Sequence, residues 1–397
     1  MNKQAILLKQ ARLSSVPYKW DIVRVSEACS IRNDLRKPIS VDERTTIQGI
    51  YPYYGPTGIL DYLNEFLVEG EFALIGEDGD HFLKPDEKPQ TILAQGKFNV
   101  NNHAHLIEST AICSAQWFSV FFKHRNITDF LSRQGANRYK LNKAILGKLP
   151  ILLPPLSEQK AIADLLCIWD KVIEKTELLV QMKKRRLKGQ IQKFISQRCD
   201  VWPHVKPKKI FDTITDKNFP EEELLSVTQD HGVIPRSMLR GRVMSPEGTT
   251  AGYKRIKRGD FAISLRSFQG GIEYSNYQGI ISPAYTVLRP KIELSSDFYR
   301  LFFKSYIFIE KYLNLAVIGI RDGKQISIPD FLSIKIPVPP IEEQHRVAEA
   351  LNVAQQELDI LKKLLNKYKT QKRGLMQKLL TGEWRIKPEI LNKYKEI

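Results

Sequence analysis

Two stretches of the chain repeat apolar residues at alternating spacings of four and three. Ten positions in each stretch follow this spacing, and we call them seam positions; seven are apolar in the first stretch and nine in the second. The first series is Ile162, Leu166, Trp169, Ile173, Thr176, Val180, Lys183, Leu187, Gln190 and Phe194. The second series, 185 residues further on, is Val347, Leu351, Ala354, Leu358, Leu361, Leu365, Tyr368, Lys372, Leu375 and Leu379. A 3.5-residue repeat held over about five heptads predicts coiled-coil helices. Because both seams belong to one chain, we expect them to pair with each other as an antiparallel coiled coil; the alternative is two unrelated amphipathic helices in separate domains.

Both predicted helices begin with the same phrase. LPPLSEQKAIAD (Leu153–Asp164) returns as VPPIEEQHRVAE (Val338–Glu349), and identities continue through Gly189 and Gly374 as far as Lys193 and Lys378. Such a duplication indicates a pseudo-two-fold internal repeat. In each copy the double proline closes an apolar, strand-like run, and a helix can begin after it because proline fits inside neither element. In the first copy we expect Ser157 to be the N-cap of the helix.

The two segments that precede these helices, one before each helix, have similar sizes and alternate short runs of Val, Ile, Tyr and Phe with Gly, Asn and Pro, which predicts strands and turns. FLVEGEFALI (Phe66–Ile75) faintly matches KRIKRGDFAIS (Lys254–Ser264), and an aromatic helix is predicted in each segment, within TAICSAQWFSVFFKH and SSDFYRLFFKSYIFIEKYL. The predicted fold is therefore α/β (α+β), with two β-rich mixed domains separated by two long helices. The predicted boundaries are 1–153 for the first domain, 154–198 for the first spacer helix, 199–338 for the second domain and 339–397 for the second spacer helix with the C-terminal tail.

Composition agrees with a folded protein of two or three domains, because 397 residues exceed one typical core. The formal net charge of +17 favours a polyanionic partner, either nucleic acid or an anionic membrane surface. We favour nucleic acid and expect no membrane partner, because no basic amphipathic terminal helix is evident. The chain shows neither a signal-peptide core nor a long apolar segment, so we expect a cytoplasmic protein. Its four cysteines form no C-x-x-C pair, which argues against a zinc site or a disulfide framework.

In this combination the residues resemble the specificity subunits of type I restriction-modification systems. The resemblance covers nearly the whole chain. It is carried by the two P-P-[LI]-x-E-Q helix starts and by the helix endings KGQIQKFIS and KRGLMQKLLTGEWRI, where Gly382 is a suitable C-cap. The phrases YPYYGPTGI, NNHAHL, LLSVTQDHGVIPRS and ISPAYTVLR are similar to target-recognition domains of that family.

The resemblance implies that each domain reads one half of a bipartite sequence on double-stranded DNA. It further implies that the paired helices set the spacer and dock methyltransferase subunits, which bring in restriction and translocase subunits. S-adenosylmethionine, ATP and magnesium are then expected on those partner subunits, and no cofactor is expected in this chain. The chain is expected to be no enzyme on its own.

Base edges are read by hydrogen-bonding side chains, Arg being suited to guanine and Asn or Gln to adenine. The candidate DNA-binding residues of the first domain are Tyr53, Tyr54, Thr57, Asn101, Asn102 and His103. Those of the second domain are Arg266, Ser267, Gln269, Ser282 and Tyr285. Packing of the tyrosines, and a purely turn-forming role of the two asparagines, are the alternatives for these positions.

No catalytic motif emerges from the sequence. A methyltransferase motif and a phosphate-binding loop are both missing, since the residues from Gly319 to Lys324 are mis-spaced for such a loop. His103 and His105 form HAH, for which an ordinary strand is favoured over a metal site because a third ligand is not apparent. Two rival functions remain open: a coiled-coil scaffold that binds proteins without reading DNA, and a metal-dependent nuclease built on HAH and KPDEK (Lys84–Lys88).

Overall fold

The structure, a computed structural model, describes residues 3–84, 88–134, 138–229, 231–239, 250–264, 271–318 and 325–394. The chain folds into two compact units. The first unit comprises Met1–Thr176 with Leu365–Ile397, and the second comprises Glu177–Leu364. Each of the two long helices contributes residues to both units. The domain boundaries inferred from the sequence stay predictions.

The helices that precede the repeat lie in the first unit. These helices are α1 (Lys3–Ala11), α2 (Val25–Ala28), α3 (Val41–Thr46), α4 (Ala115–Phe122) and α5 (Lys143–Lys148), and the long helix α6 (Leu156–Ile191) begins in this unit. Its strands are β1 (Asp21–Arg24), β2 (Ser30–Ile31), β3 (Gln48–Tyr54), β4 (Ile59–Leu63), β5 (Val68–Gly76), β6 (Thr91–Val100), β7 (Ala104–Glu108), β8 (Ser132–Gln134), β9 (Arg138–Lys140) and β10 (Pro150–Leu153).

The second unit is built mainly from short strands. They are β11 (His204–Val205), β12 (Phe211–Ile214), β13 (Leu225–Thr228), β14 (Gly232–Pro235), β15 (Lys254–Ile256), β16 (Phe261–Ser264), β17 (Ile272–Tyr274), β18 (Gly279–Ile281), β19 (Tyr285–Pro290), β20 (Val317–Ile318), β21 (Gln325–Ile326) and β22 (Ile336–Pro337). Its helices are α7 (Ser296–Phe302), α8 (Ile328–Ser333) and the first part of α9 (Ile341–Leu380). The last part of α9 and α10 (Pro388–Asn392) belong to the first unit.

The main sheet of the first unit has the strand order β2-β7-β5-β6-β3-β4, and its central strand β5 contributes to a core on each face. Successive side chains of a strand point to opposite faces. Accordingly, Ala73 and Ile75 of β5 pack in one core with the aromatic residues of α4, whereas Phe72 and Leu74 pack in another with Phe98. In the second unit the corresponding sheet has the order β12-β19-β16-β17. The prediction of two β-rich mixed domains is confirmed.

Within the first unit, α6 and α9 pack against each other in opposite directions. Ile162 and Leu166 share a buried core with Leu379. Further along α6, the rings of Trp169 and Tyr368 lie 5.9 Å apart, centroid to centroid. The contacted residue number on α9 falls as the number on α6 rises, so the pair is antiparallel.

The second unit shows the same antiparallel arrangement with its own contacts. Lys183 forms an ion pair with Glu357, and Arg198, just beyond α6, lies 2.8 Å from Glu343 near the start of α9. Between them, Leu187 packs in one core with residues of α9, namely Val347, Leu351 and Leu358. The predicted antiparallel coiled coil is therefore confirmed in each unit, and two unrelated helices are excluded.

The prediction of Ser157 as the N-cap of α6 is wrong, because the N-cap lies two residues earlier, at Pro155. Helix α6 begins at Leu156, so Ser157 lies inside its first turn. The carbonyl of Pro155 accepts hydrogen bonds from the backbone N–H groups of Glu158 and Gln159, at 2.8 and 3.0 Å. A proline carbonyl thus starts the helix directly, and no serine is needed. At the C-terminal end of α9, Gly382 has φ +71 and caps the helix as predicted.

The repeated glutamine explains why the phrase occurs twice. Gln159 is fully buried; its Oε1 accepts from the backbone N–H of Ser114 at 3.0 Å and its Nε2 donates to the carbonyl of Pro154 at 2.8 Å. In the second copy, Gln344 accepts from the N–H of Ser295 at 2.9 Å and donates to its own preceding proline carbonyl at 2.8 Å. Ser114 and Ser295 are the N-caps of α4 and α7. Each copy therefore attaches a long helix to the aromatic helix of its unit.

Candidate nucleic-acid interface

Three loops meet at one end of the main sheet in the first unit. Strands β3 and β6 are parallel neighbours, with Tyr54 opposite Val100, so the segments that follow them lie side by side. The N–H of Asn101 donates to the carbonyl of Tyr54 at 3.0 Å. The N–H of Glu77, after β5, donates to the carbonyl of His103 at 2.7 Å. Parallel pairing thus brings together most of the candidate DNA-binding residues of the first domain, which are called candidate readers below.

Tyr53 does not belong to this exposed loop end. Its side chain is 1% exposed. Its hydroxyl accepts from the N–H of Ile39 and donates to the carbonyl of Lys37, both at 3.0 Å, and burial raises the pKa of this hydroxyl. The ring is a core residue, and both hydrogen-bonding directions of the hydroxyl are used within the fold. We therefore remove Tyr53 from the candidate readers.

The remaining candidates of the first domain divide into turn-forming and exposed residues. Asn101 is buried, and its Oδ1 accepts from the N–H of His103 at 2.9 Å, so it shapes the turn. Tyr54 is half-buried and packs edge-on against Phe98. Thr57 and Asn102 are exposed, and the side chain of His103 is 50% exposed. The exposed residues are the ones whose polar atoms a base edge could reach.

The histidines of HAH have separate partners. His103 Nδ1 lies 2.9 Å from Asp78 Oδ2. His105 is buried, with Nε2 2.6 Å from the carbonyl of Leu141 and Nδ1 2.9 Å from Asn33 Nδ2. Burial lowers the pKa of His105, even though the neighbouring carbonyl acts in the opposite direction. Both ring nitrogens of His105 are thus engaged by contacts within the core.

A group of charged residues behind the turn was missed by the sequence analysis. Arg36 donates to Glu77 Oε2 at 2.7 Å and to the carbonyl of Asn102 at 2.9 Å. Lys140 Nζ lies 3.2 Å from Glu77 Oε1. These contacts fix the backbone of the exposed turn from below. Their separations of tens of residues left no local pattern in the sequence; the one available signal was the basic pair Arg36-Lys37 before a proline.

The second unit places its candidates at matching positions of its own sheet. In β5–β7 pairing, Phe72 stands opposite Glu108 and Ile75 opposite His105. In β16–β19 pairing, Phe261 stands opposite Leu288 and Ser264 opposite Tyr285. The faint match of the two segments is thus a match of strands and of register. Counting back along each strand puts Ser282 and Asn102 at equivalent positions, each in a turn that leads into the strand.

The described candidates of the second unit are held by local hydrogen bonds. The N–H of Tyr285 donates to the carbonyl of Ser282 at 3.1 Å, and Lys254 Nζ donates to the carbonyl of Tyr285 at 2.7 Å. Both Ser282 and Tyr285 are half-buried. Arg266, Ser267 and Gln269 lie outside the described residues, as do the three middle residues of KPDEK.

The described part of the chain shows no group of three or more His, Cys, Asp or Glu side chains that could hold a metal ion. Among these same residues, none of the helices is long and apolar enough to cross a membrane.

A family model described as the type I restriction modification DNA specificity domain matches residues 17–184 and 243–370. The chain belongs to this family. Specificity subunits are the non-catalytic components of type I systems, so this chain is not an enzyme on its own. Of the two rival functions, the family does not favour the scaffold.

Individual relatives of this specificity subunit match it over most of its length. The MjaVIII specificity subunit of Methanocaldococcus jannaschii is 25% identical over 409 residues, covering 94% of each chain. A Haemophilus influenzae protein named "putative type I restriction enzyme specificity subunit" is 27% identical, covering 88% of this chain and 90% of its own. The crystal structure of a type I S subunit from M. genitalium has the same fold, with a TM-score of 0.62 at 16% identity, covering 92% of this chain and 96% of that one.

Proposed function

We propose that each unit reads one half of a bipartite sequence on double-stranded DNA. The observation that carries this proposal is the equivalence of the turns at Asn102 and Ser282, each of which lies three residues before a strand residue, His105 or Tyr285, in matching register. Two sites of the same construction suit a duplex that is approached twice in the same way. The formal charge of +17 supports a polyanionic ligand.

The paired helices α6 and α9 set the unread spacer and dock the methyltransferase subunits of the complex. Restriction and translocase subunits join through these methyltransferase subunits. S-adenosylmethionine, ATP and magnesium bind to the partner subunits in this proposal. Gly189 and Gly374 support a docking role, because a Cβ at either position would meet nothing within 4 Å and packing within the chain does not require glycine there.

A salt series tests DNA binding. The duplex is chosen by mapping methylated adenines in the host genome, and its affinity for the full chain with its methyltransferase subunits is measured from about 50 to 200 mM salt. We expect the logarithm of the affinity to fall linearly with the logarithm of the salt concentration, because phosphate contacts release counterions. A protein-binding scaffold predicts no salt-sensitive affinity for DNA. A nuclease predicts magnesium-dependent cleavage by the isolated chain.

Matched substitutions at the equivalent turns test the division of labour. Asn102→Ala should change or abolish recognition of the first half-site, and Ser282→Ala that of the second, because each removes one hydrogen-bonding side chain from one turn. Arg266→Ala and Gln269→Ala should affect the second half-site alone. The readout is the methylated sequence in the host genome. Identical changes in both half-sites after a single substitution would contradict the proposal.

An insertion tests the spacer role. Four residues added to one long helix lengthen it by roughly 6 Å. Since B-DNA rises about 3.4 Å per base pair, the unread spacer should grow by one or two pairs. An unchanged methylated sequence would refute the spacer role without affecting the half-site assignment.

A further inference from the structure

A cavity of about 450 Å³ lies within the first unit, between the end of α4 and the facing parts of α6 and α9. Its lining includes the apolar side chains of Phe121, Ile173 and Met376. It also includes cationic groups, among them Lys372 and Arg373. Cavities of roughly 300–1,000 Å³ that combine an apolar wall with a few convergent polar groups are typical ligand sites.

Positive charge exceeds negative charge around this cavity. Asp170 is the carboxylate of the described lining, and it is shared by Lys372 and by Lys123, which lies 3.0 Å away. Arg125 donates to the carbonyl of Ala11 and covers the ring of Phe121, but it forms no ion pair with any described carboxylate. Arg373 is exposed and likewise has no carboxylate partner in the described part of the chain. An anion would therefore be attracted to this cavity.

The second copy of the repeat shows that the fold does not need these charges. Leu187 stands at the position of Lys372 and is buried, and Gln355 stands at the position of Asp170. A buried ion pair at a coiled-coil seam can fix the register of the helices. That role accounts for Lys372 and Asp170. Arg125 is held by Ala11 and Phe121, whereas no such contact within the described residues accounts for Arg373.

We propose that the cavity binds an organic phosphate of about the size of a nucleoside monophosphate. Its phosphate would lie against Lys372 and Arg373, whose N–H groups form charge-assisted hydrogen bonds with phosphate oxygens. Its apolar body would lie against Ile173 and Met376. Inorganic phosphate would fill only part of this cavity and would leave its apolar residues without a partner. This inference is independent of the proposed reading of DNA.

Calorimetric titration of the full chain with adenosine 5′-monophosphate, adenosine and inorganic phosphate tests the proposal. We expect the monophosphate to bind at least about tenfold more tightly than either fragment. Arg373→Ala should weaken this binding by about tenfold or more, because a charge-assisted contact is lost. Lys188→Ala is the matched control, since Lys188 stands at the position of Arg373 in the other copy, and it should leave binding unchanged.

Met376→Trp provides a second variant that fills the cavity without removing a charge. It should abolish binding while the thermal unfolding midpoint without ligand shows that the chain still folds. Absence of binding to the unaltered chain would overturn the proposal, as would equal affinity for inorganic phosphate. Retention of binding by both Arg373→Ala and Met376→Trp would place the ligand elsewhere and overturn it too. Displacement of the monophosphate by duplex DNA of unrelated sequence would reassign the cavity to the DNA backbone.

Discussion

Leu187 and Lys372 stand at the same position of the two copies of the repeat, yet one is an apolar seam residue and the other a buried ammonium group paired with Asp170. The glutamines of the two copies, in contrast, make the same contacts with an N-cap backbone and a proline carbonyl. Positions that agree between the copies thus report what the fold requires. Positions that differ report what one half does on its own.

The largest effect on the free energy of unfolding is expected from exchanging the residues at positions 187 and 372 between the two copies. Leu187→Lys is expected to lower the free energy of unfolding by about 3–5 kcal/mol, because Gln355 cannot neutralise a buried ammonium as Asp170 does. Lys372→Leu, the reverse change, should alter it by less than about 1 kcal/mol, since Asp170 keeps Lys123 as a partner. Urea unfolding of the full chain measures both. Equal effects of the two substitutions would mean that the copies do not differ at this position.

The glutamines should give the next largest effect. Gln159→Met is expected to cost about 3 kcal/mol and Gln344→Met about 2 kcal/mol, because each leaves buried backbone groups without a partner. The first value is larger since Gln159 also donates to the carbonyl of Ile112 at 2.8 Å. Urea unfolding is again the measurement, with Gln356→Met on an exposed face of α9 as the control. Effects no larger than that of the control would contradict the attachment role.

Within each copy, the glutamate that precedes the glutamine should show a smaller effect than that glutamine, and the two glutamates should differ. Glu158 is 1% exposed and is bound by Arg385 at 2.8 Å and by Trp20 Nε1 at 3.0 Å. Glu343 is bound by Arg198, whose side chain is 45% exposed. We expect Glu158→Ala to cost about 2 kcal/mol and Glu343→Ala about 1 kcal/mol, because water replaces an exposed partner more easily.

Thermal unfolding at low and high salt distinguishes these two glutamates. Salt should diminish the Glu343 contribution more, since its partner is exposed to screening ions. Glu342→Ala at an exposed position of the same helix start serves as the control. A larger loss for Glu343→Ala than for Glu158→Ala would reverse the comparison.

The helices could be predicted from the periodicity of apolar residues, whereas most contacts between residues far apart in the sequence could not. The heptad spacing is local information, so the seams and their mutual pairing could be inferred from the sequence. Ser157 was misplaced because a neighbouring proline carbonyl competes for the same start of the helix. Tyr53 was expected at the surface because its neighbours form a turn, but alternation along β3 directs its side chain into the core.

The candidate site was predictable as a set of loops but not as a set of contacts. The turn at Asn102 was found from its polar residues, while Arg36, which holds that turn, lies 66 residues away and contacts its backbone. Backbone contacts leave no trace in the identity of the residue that is contacted. The equivalence of Asn102 and Ser282 likewise depends on strand register, which the faint similarity of the two segments could suggest but not fix.

Each domain starts and finishes on neighbouring strands: Asp21 faces Leu153 across β1 and β10, and His204 faces Pro337 across β11 and β22. The chain of each domain therefore returns to the point at which it started, next to the long helix that follows it. A foreign domain with the same terminal strands could therefore be grafted in place of either one without cutting a long helix. Each domain could thus be exchanged as a unit, and in the proposed function the exchange of one domain would change the recognition of one half-site.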